Sequence, residues 1–310
     1  MANSPLPIQP DLTRIALSYK QNNLIADSIL PRVPVLKQDF KYFKYTKEDP
    51  FTIPDTKVGR KGMVNQVEFG GTEVTDSVYD YALSDVVSVN DVVNSMGTVY
   101  DPKKIATEGI ARLLDLDREV RVSNAVFNAA NYNANNKVTL SGTSQFSDFA
   151  NSDPVGVILA ALDSCIMRPN SVTIGRPAWS ILMRHPKIVQ AVYKTAQNSG
   201  IVSQRMFADL FELQNIFVGE AFLNTARKGQ AASFARVWGK HISFIYQDAS
   251  AATSGSTTFG FTAQWQGKQA YDDFDRTIGA RGSSVVKVVD SVKEVVCADD
   301  LGYFIQNAVA

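Results

Sequence analysis

The sequence predicts an α+β fold, because helical and strand-like stretches are segregated along the chain instead of alternating as βαβ units. Three observations carry this reading. Residues 39–96 are polar and strand-like, a long amphipathic helix opens sharply at Asp101-Pro102, and residues 236–310 are mainly strand-forming. The chain has 310 residues, 45% of them hydrophobic. At that size about three quarters of the unfolded surface leaves water on folding, enough for two lobes with extensions.

Residues 1–38 read as an N-terminal arm. Pro5, Pro7 and Pro10 discourage regular structure. Leu12, Ile15, Ala16 and Tyr19 then fall at helical spacing, and Leu30–Val35 is extended because each residue before a proline is pushed out of the helical region. Residues 39–96 form a long excursion. Phe40–Tyr45 is rich in strand-favouring aromatics, and Gln66–Phe69 and much of Thr72–Tyr81 alternate with period two. Between them lies the basic, glycine-punctuated stretch Lys57-Val-Gly-Arg-Lys-Gly62. An isolated hairpin is only marginally stable in water, so the expectation is that the first hundred residues lack a private interior and dock on another subunit.

Residues 97–165 carry the long helix. Asp101 is a good N-cap and Pro102 suits the first helical position. Ile110, Leu113, Leu116, Val120 and Phe127 make an apolar stripe, supported by Glu108/Arg112 and Asp117/Arg121 four residues apart. The pattern predicts a helix to about Ala130, roughly 40 Å long, stopped by the turn-rich Asn131–Asn136. Asp153-Pro154 repeats the capping logic for a helix through Val157, Ile158, Ala161, Leu162 and Cys165.

That helix opens a mixed second lobe, which continues with a strand at Ser171–Ile174 and helices at Pro177–Arg184, Pro186–Tyr193 and, capped by Ser203, to Phe211. Strands are expected at Ile216–Val218, His241–Tyr246, Thr258–Gln264, Val285–Val289, Val292–Val296 and Tyr303–Gln306. The small, polar residues 249–256 read as a loop.

Charge is balanced, 31 basic against 31 acidic residues with a pI near 6.7. A protein gripping nucleic acid usually shows a basic patch, so nucleic acid is expected to be enclosed and not read. Cys165 and Cys297 sit in apolar surroundings and read as reduced core thiols. The start lacks the pattern of a signal peptide, and no apolar run reaches membrane-span length. The expectation is a soluble protein made in a reducing compartment.

No catalytic, cofactor-binding or metal-binding residue is predicted. His185 and His241 lie in no metal-ligand spacing. Val58–Met63 and Arg227–Gln230 miss the phosphate-loop pattern, and the acidic pairs Asp272-Asp273 and Asp299-Asp300 read as solvated turns, without the glycine spacing of a calcium loop.

Six segments resemble one group of phage head proteins: Leu24-Ile-Ala-Asp-Ser-Ile-Leu-Pro-Arg-Val-Pro34, Ile53-Pro-Asp-Thr-Lys-Val-Gly-Arg60, Leu116-Asp-Arg-Glu-Val-Arg121, Ala208-Asp-Leu-Phe-Glu-Leu213, Ala235-Arg-Val-Trp-Gly-Lys-His241 and Asp300-Leu-Gly-Tyr-Phe-Ile-Gln-Asn-Ala308. Their order across nearly the whole chain resembles the major capsid protein fold of tailed phages and herpesviruses. The resemblance implies an N-arm (1–38), an extended loop (39–96), a peripheral domain with a spine helix (97–165), an axial domain (166–235) and a β-rich return shared between the last two (236–310).

It further implies a non-enzymatic shell protein of the virion, assembled in the host bacterial cytoplasm as hexamers and pentamers on an icosahedral lattice around double-stranded DNA. The implied partners are sister copies, a portal, a decoration protein where one is present, and a separate scaffolding protein, since the arm begins almost at Met1. Charges on Arg60, Lys61, Glu68 and Glu73 are the candidates for setting loop-to-neighbour register. A crosslink through Lys57 or Lys61 is not expected. The competing readings are a tail-tube or other virion protein and a small-molecule enzyme with a nonlocal site in residues 150–310.

Overall fold

The structure is a computed structural model that describes residues 24–45, 51–60, 62–67, 71–96, 101–193, 200–227, 229–248 and 257–310. The expected helix at Leu12–Tyr19 and the loop at 249–256 lie outside the described residues. The first elements are α1 (Ala26–Ile29), β1 (Arg32–Val35), β2 (Asp39–Tyr45), β3 (Gly71–Ser77), β4 (Tyr79–Ser88), α2 (Val89–Ser95) and α3 (Pro102–Val126). The second lobe holds β5 (Lys137–Thr139), α4 (Pro154–Asp163), β6 (Ser171–Gly175), α5 (Arg176–Leu182), α6 (Pro186–Tyr193), α7 (Gln204–Phe211), β7 (Asn215–Gly219), β8 (Phe222–Asn224) and β9 (Phe234–Arg236). The return comprises β10 (Ile242–Ile245), β11 (Gly260–Asp275), β12 (Ser283–Val296) and β13 (Gly302–Gln306).

Two sheets organise these elements. The first has the order β1-β11-β12-β4, with β1 parallel to β11 and the other pairs antiparallel. The second has the order β5-β13-β10-β6-β7, with β10 antiparallel to both of its neighbours. The pairs β2–β3 and β8–β9 form separate two-stranded sheets.

The long helix starts as its sequence predicts. The Asp101 carboxylate accepts the backbone N–H groups of Lys103 (3.0 Å) and Lys104 (3.3 Å), with Pro102 at the first position. Its 25 residues span roughly 37 Å at 1.5 Å per residue. It ends at Val126, earlier than predicted, because Phe127 turns its ring onto Trp238, His241 and Phe304. The face against β4 and β12 also differs from the predicted stripe. Ala106, Ile110, Ala111 and Leu114 are buried against Val87, Val286 and Val288, whereas Leu113 is 55% exposed. The small residues Ala106 and Ala111 let the helix approach the sheet closely, which turns Leu113 outward.

The expected lack of a private interior does not hold for much of the N-terminal region. Ile29 and Leu30 are fully buried among Val122, Val126, Trp238 and Phe259. β1 runs in register with Thr262–Trp265 of the same chain, and all of β4 pairs with β12. Phe40 and Val78 pack on Ala263 and Val295. The reason is pairing over long sequence separation: one face of each short strand meets a sheet built by the C-terminal return.

Three further differences lie in where strands and a helix begin and end. Val285–Val289 and Val292–Val296 are one continuous strand, β12, because Asp290 is no break; buried, it accepts from Arg32 (2.9 Å) and Gln264 (3.0 Å). β11 continues to Asp275 through a bulge at Trp265–Gln269, where Gln266 and Gly267 have positive φ. Asp272 is therefore a strand residue ion-paired with Lys103 at 2.7 Å, not part of a solvated turn. The short helix α2 also lies in a region read as strand; Ser88 caps it by accepting the Asp91 N–H at 3.2 Å.

The second sheet packs under α4–α7 around Ile174, Trp179, Phe207, Phe211 and Phe244. Gly219 permits the close approach of Trp238: a Cβ there would sit 2.1 Å from the indole ring. Among the described residues no helix is long and apolar enough to cross a membrane.

Candidate functional site

Two features stand out: an exposed loop and a buried polar anchor that holds residues 25–32 on the long helix. The loop, residues 51–67, leaves the β2–β3 pair. Asn65 Nδ2 donates to the Asp55 carbonyl at 2.8 Å, and Gly62 N–H to the Gly59 carbonyl at 2.8 Å, closing its tip. It shows large apolar side chains to solvent, with Ile53 91% and Met63 93% exposed alongside Phe51, Val64 and Val67. Such a patch marks an interaction surface.

Arg60 is exposed on this loop, while Lys61 and Glu68 lie outside the described residues. Glu73 sits on β3, where it makes a 2.5 Å ion pair with Lys41 across the β2–β3 pair. Nothing brings Arg60 and Glu73 together.

The anchor is built on α3. Leu114, Arg118, Val122 and Val126 follow at steps of four along its buried face, so the Arg118 side chain points into the fold. Arg118 pairs with Asp27 and donates to the Leu30 carbonyl (3.1 Å) and Thr262 Oγ1 (3.1 Å). Arg32 bridges Asp27 (2.8 Å) and Asp290 (2.9 Å). Burial would raise the Asp27 carboxyl, but Arg118 and Arg32 outweigh it and hold the group below its usual range.

Glu119, fully buried, accepts from the backbone N–H groups of Ile25 (3.1 Å) and Ala26 (2.8 Å) and from the Trp238 indole N–H (2.5 Å). Burial pushes its carboxyl above the usual range, and those three donors pull it back only in part. The sequence reading missed this cluster. Its signal was a charged pair, Arg118-Glu119, at positions of the helix that the buried periodicity claims.

The two histidines have structural partners. The buried Ser152 hydroxyl donates to the Asp148 carbonyl at 2.6 Å, and its oxygen faces His185 Nε2 at 3.0 Å. His185 Nδ1 accepts from the Lys187 N–H at 3.3 Å, so the network assigns the ring proton to Nε2. That imidazole donates to Ser152 and has no free lone pair to act as its base. His241 Nδ1 accepts the Asn307 N–H at 3.0 Å. Both cysteines are free thiols, each pushed up to about 11 by burial. Among the described residues no group of three His, Cys, Asp or Glu side chains is placed to hold a metal.

Three of the segments that resemble phage head proteins meet at the anchor: Leu24–Pro34, Leu116–Arg121 and Ala235–His241 supply Asp27, Arg118, Glu119 and Trp238. No family model matches the chain. The major capsid protein of Pseudomonas phage JBD67 is 50% identical over 310 residues, covering 100% of both chains. The major capsid protein of Burkholderia phage BcepMu is 26% identical over 308 residues, covering 97% of this chain and 96% of its own. A crystal structure of a phage-related protein from Bordetella bronchiseptica RB50 matches with a TM-score of 0.77 at 24% identity, over 98% of each chain. A chain of the Cyanophage P-SCSP1u capsid matches at 0.57 and 8% identity, covering 99% of this chain and 91% of its own. The solved structures carry the fold, an α+β capsid fold, and the full-length 50% identity carries the family. The chain belongs to the phage major capsid proteins, and its role is that of a structural component of the virion.

Proposed function

We propose that copies of this chain form hexamers and pentamers that close into an icosahedral head around double-stranded DNA, without enzymatic activity of their own. In this reading residues 51–67 lie across an adjacent subunit, the lobe built on the second sheet faces the local symmetry axes, and the anchored segment 25–32 belongs to the N-arm. Arg60, Lys61, Glu68 and Glu73 set the register between loop and neighbour. A separate scaffolding protein, a portal and, where one is present, a decoration protein complete the assembly.

The observation that carries the proposal is the loop itself. Ile53 and Met63 are almost wholly exposed in the single subunit, and burial of such side chains is worth about 1.5–3 kcal/mol each, a gain available only against another surface. The balanced charge of 31 against 31 suits enclosure of DNA more than a grip on it. Size-exclusion chromatography with negative-stain microscopy of the purified chain tests the reading. Closed shells or capsomer rings are expected, and replacing residues 53–66 with a short Gly-Ser linker should leave a folded, soluble subunit that forms neither. Shells of normal yield from that variant would refute the role of the loop, and open tubes from the parent would refute the closed shell.

A further inference from the structure

His185 is fully buried, and both of its ring nitrogens are already committed. Nδ1 accepts the Lys187 N–H (3.3 Å), one of the donors that the start of α6 leaves without a helical partner. Nε2 donates to the Ser152 hydroxyl (3.0 Å), whose own O–H donates to the Asp148 carbonyl (2.6 Å). One neutral imidazole thus joins the α5–α6 junction to residues 148–152. That segment also covers the ring, because Phe149, 37% exposed, stands edge-on against it at 5.3 Å.

A second proton has no place in this arrangement. On Nδ1 it would turn an acceptor into a donor facing the Lys187 N–H, and a buried imidazolium needs a paired charge. The charged groups around the ring do not supply one. The Asp148 carboxylate is taken by the Ala150 and Asn151 N–H groups and Asn151 Nδ2, and Asp153 pairs with Lys187 at 3.6 Å. Arg184, 5.9 Å from the Phe149 ring, and Lys187 carry the same sign as the imidazolium. Burial first, then Lys187, hold the ring below its ordinary value, and Asp153 opposes them only in part.

We propose that His185 is an acid-released latch: on taking a proton its ring leaves the interior, and residues 148–152 lift from the α5–α6 junction while the second sheet stays intact. The segment lifts as a unit, because the Asp148 carboxylate holds its turn with three hydrogen bonds of its own. The half-exposed Lys187–Asp153 pair keeps it tethered. β6 and β10, which sit side by side in the second sheet, carry no titratable side chain and have no reason to follow. The latch is whole above the free histidine value near 6.5 and is lost as pH falls from there through the lowered folded value.

Amide exchange of the full-length dissociated subunit tests this, followed at Lys187 and across 148–152 and corrected for the intrinsic pH dependence of exchange. Protection there should fall about tenfold between pH 7 and pH 5, while protection at Ser243 on β10 should not change. His185→Asn keeps an acceptor for the Lys187 N–H but does not titrate in that range, and should remove the pH dependence. The imidazole resonances of the parent give a reading that needs no variant to fold. The chain has two histidines, both held low by burial, so neither should protonate at or above 6.5. A His185 ring that takes its proton near 6.5 with the Lys187 amide still protected would overturn the latch. So would protection that stays flat from pH 7 to pH 5, an equal loss at Ser243, or a His185→Asn subunit that keeps the parental pH dependence.

Discussion

Replacing Glu119 with alanine should destabilise the folded subunit by about 3 kcal/mol. The carboxylate satisfies three donors: the Ile25 N–H, the Ala26 N–H and the Trp238 indole N–H. Ala26 and Trp238 are buried, so alanine leaves both donors orphaned, whereas Ile25 is half-buried and can turn to water. Each orphaned buried group costs about 1–3 kcal/mol, or about 2–6 for the pair. Removing a carboxylate whose burial is itself unfavourable returns part of that, which places the net near the middle of the lower half. Glu119→Gln keeps an acceptor but turns an NH₂ toward donors, and should lose about 1–2 kcal/mol.

Guanidinium unfolding of the dissociated subunit measures the total. Amide exchange at Ile25 and Ala26 measures the local part, which should accelerate by about two decades for a 3 kcal/mol loss. A Glu119→Ala variant within about 0.5 kcal/mol of the parent, with those amides still protected, would refute the claim that this carboxylate holds residues 25 and 26 on the helix.

Three other expectations can be checked on the same subunit. Asp27, held low by its arginines, contributes stability above its unfolded value near 3.8 that is lost as pH falls through the folded value; Glu119, held high, binds its proton more tightly when folded, so its contribution falls as pH rises from about 4.5 through the folded value. Urea midpoints across pH 2–7 should therefore lose their acid decline in Asp27→Asn and their opposing trend in Glu119→Gln. Gly219→Ala should destabilise by about 1–3 kcal/mol or more, because its methyl group meets the Trp238 ring; a neutral melt would contradict the packing. At pH 8, thiols pushed up to about 11 leave about one part in a thousand as thiolate, so Cys165 and Cys297 should react with a disulfide reagent only on unfolding, and rapid native labelling would refute their burial.

Local chemistry was legible residue by residue. Asp101-Pro102 announced the long helix because cap and first turn lie within four residues of one another, and the Ser203 cap of α7 was read for the same reason. The exposed loop at 51–67 was also foreseeable, since glycines and basic side chains punctuate it and leave little to fill a core. The α2 turn was missed although Ser88 and Asp91 carry its signal, because the surrounding strand pattern masked it.

Sequence by itself therefore determined the starts of α3, α4 and α7, the exposed character of the loop and, through resemblance, the family. Tertiary structure alone decided which face of α3 is buried, that β12 runs unbroken through Asp290, and that residues 26–35 pack on and pair with their own chain. The physical reason is distance along the chain. Asp27 meets Arg118, Glu119 meets Trp238, and Arg32 meets Asp290 across 91, 119 and 258 residues. Whether a buried charge is a defect or an anchor depends on a partner that no local window contains.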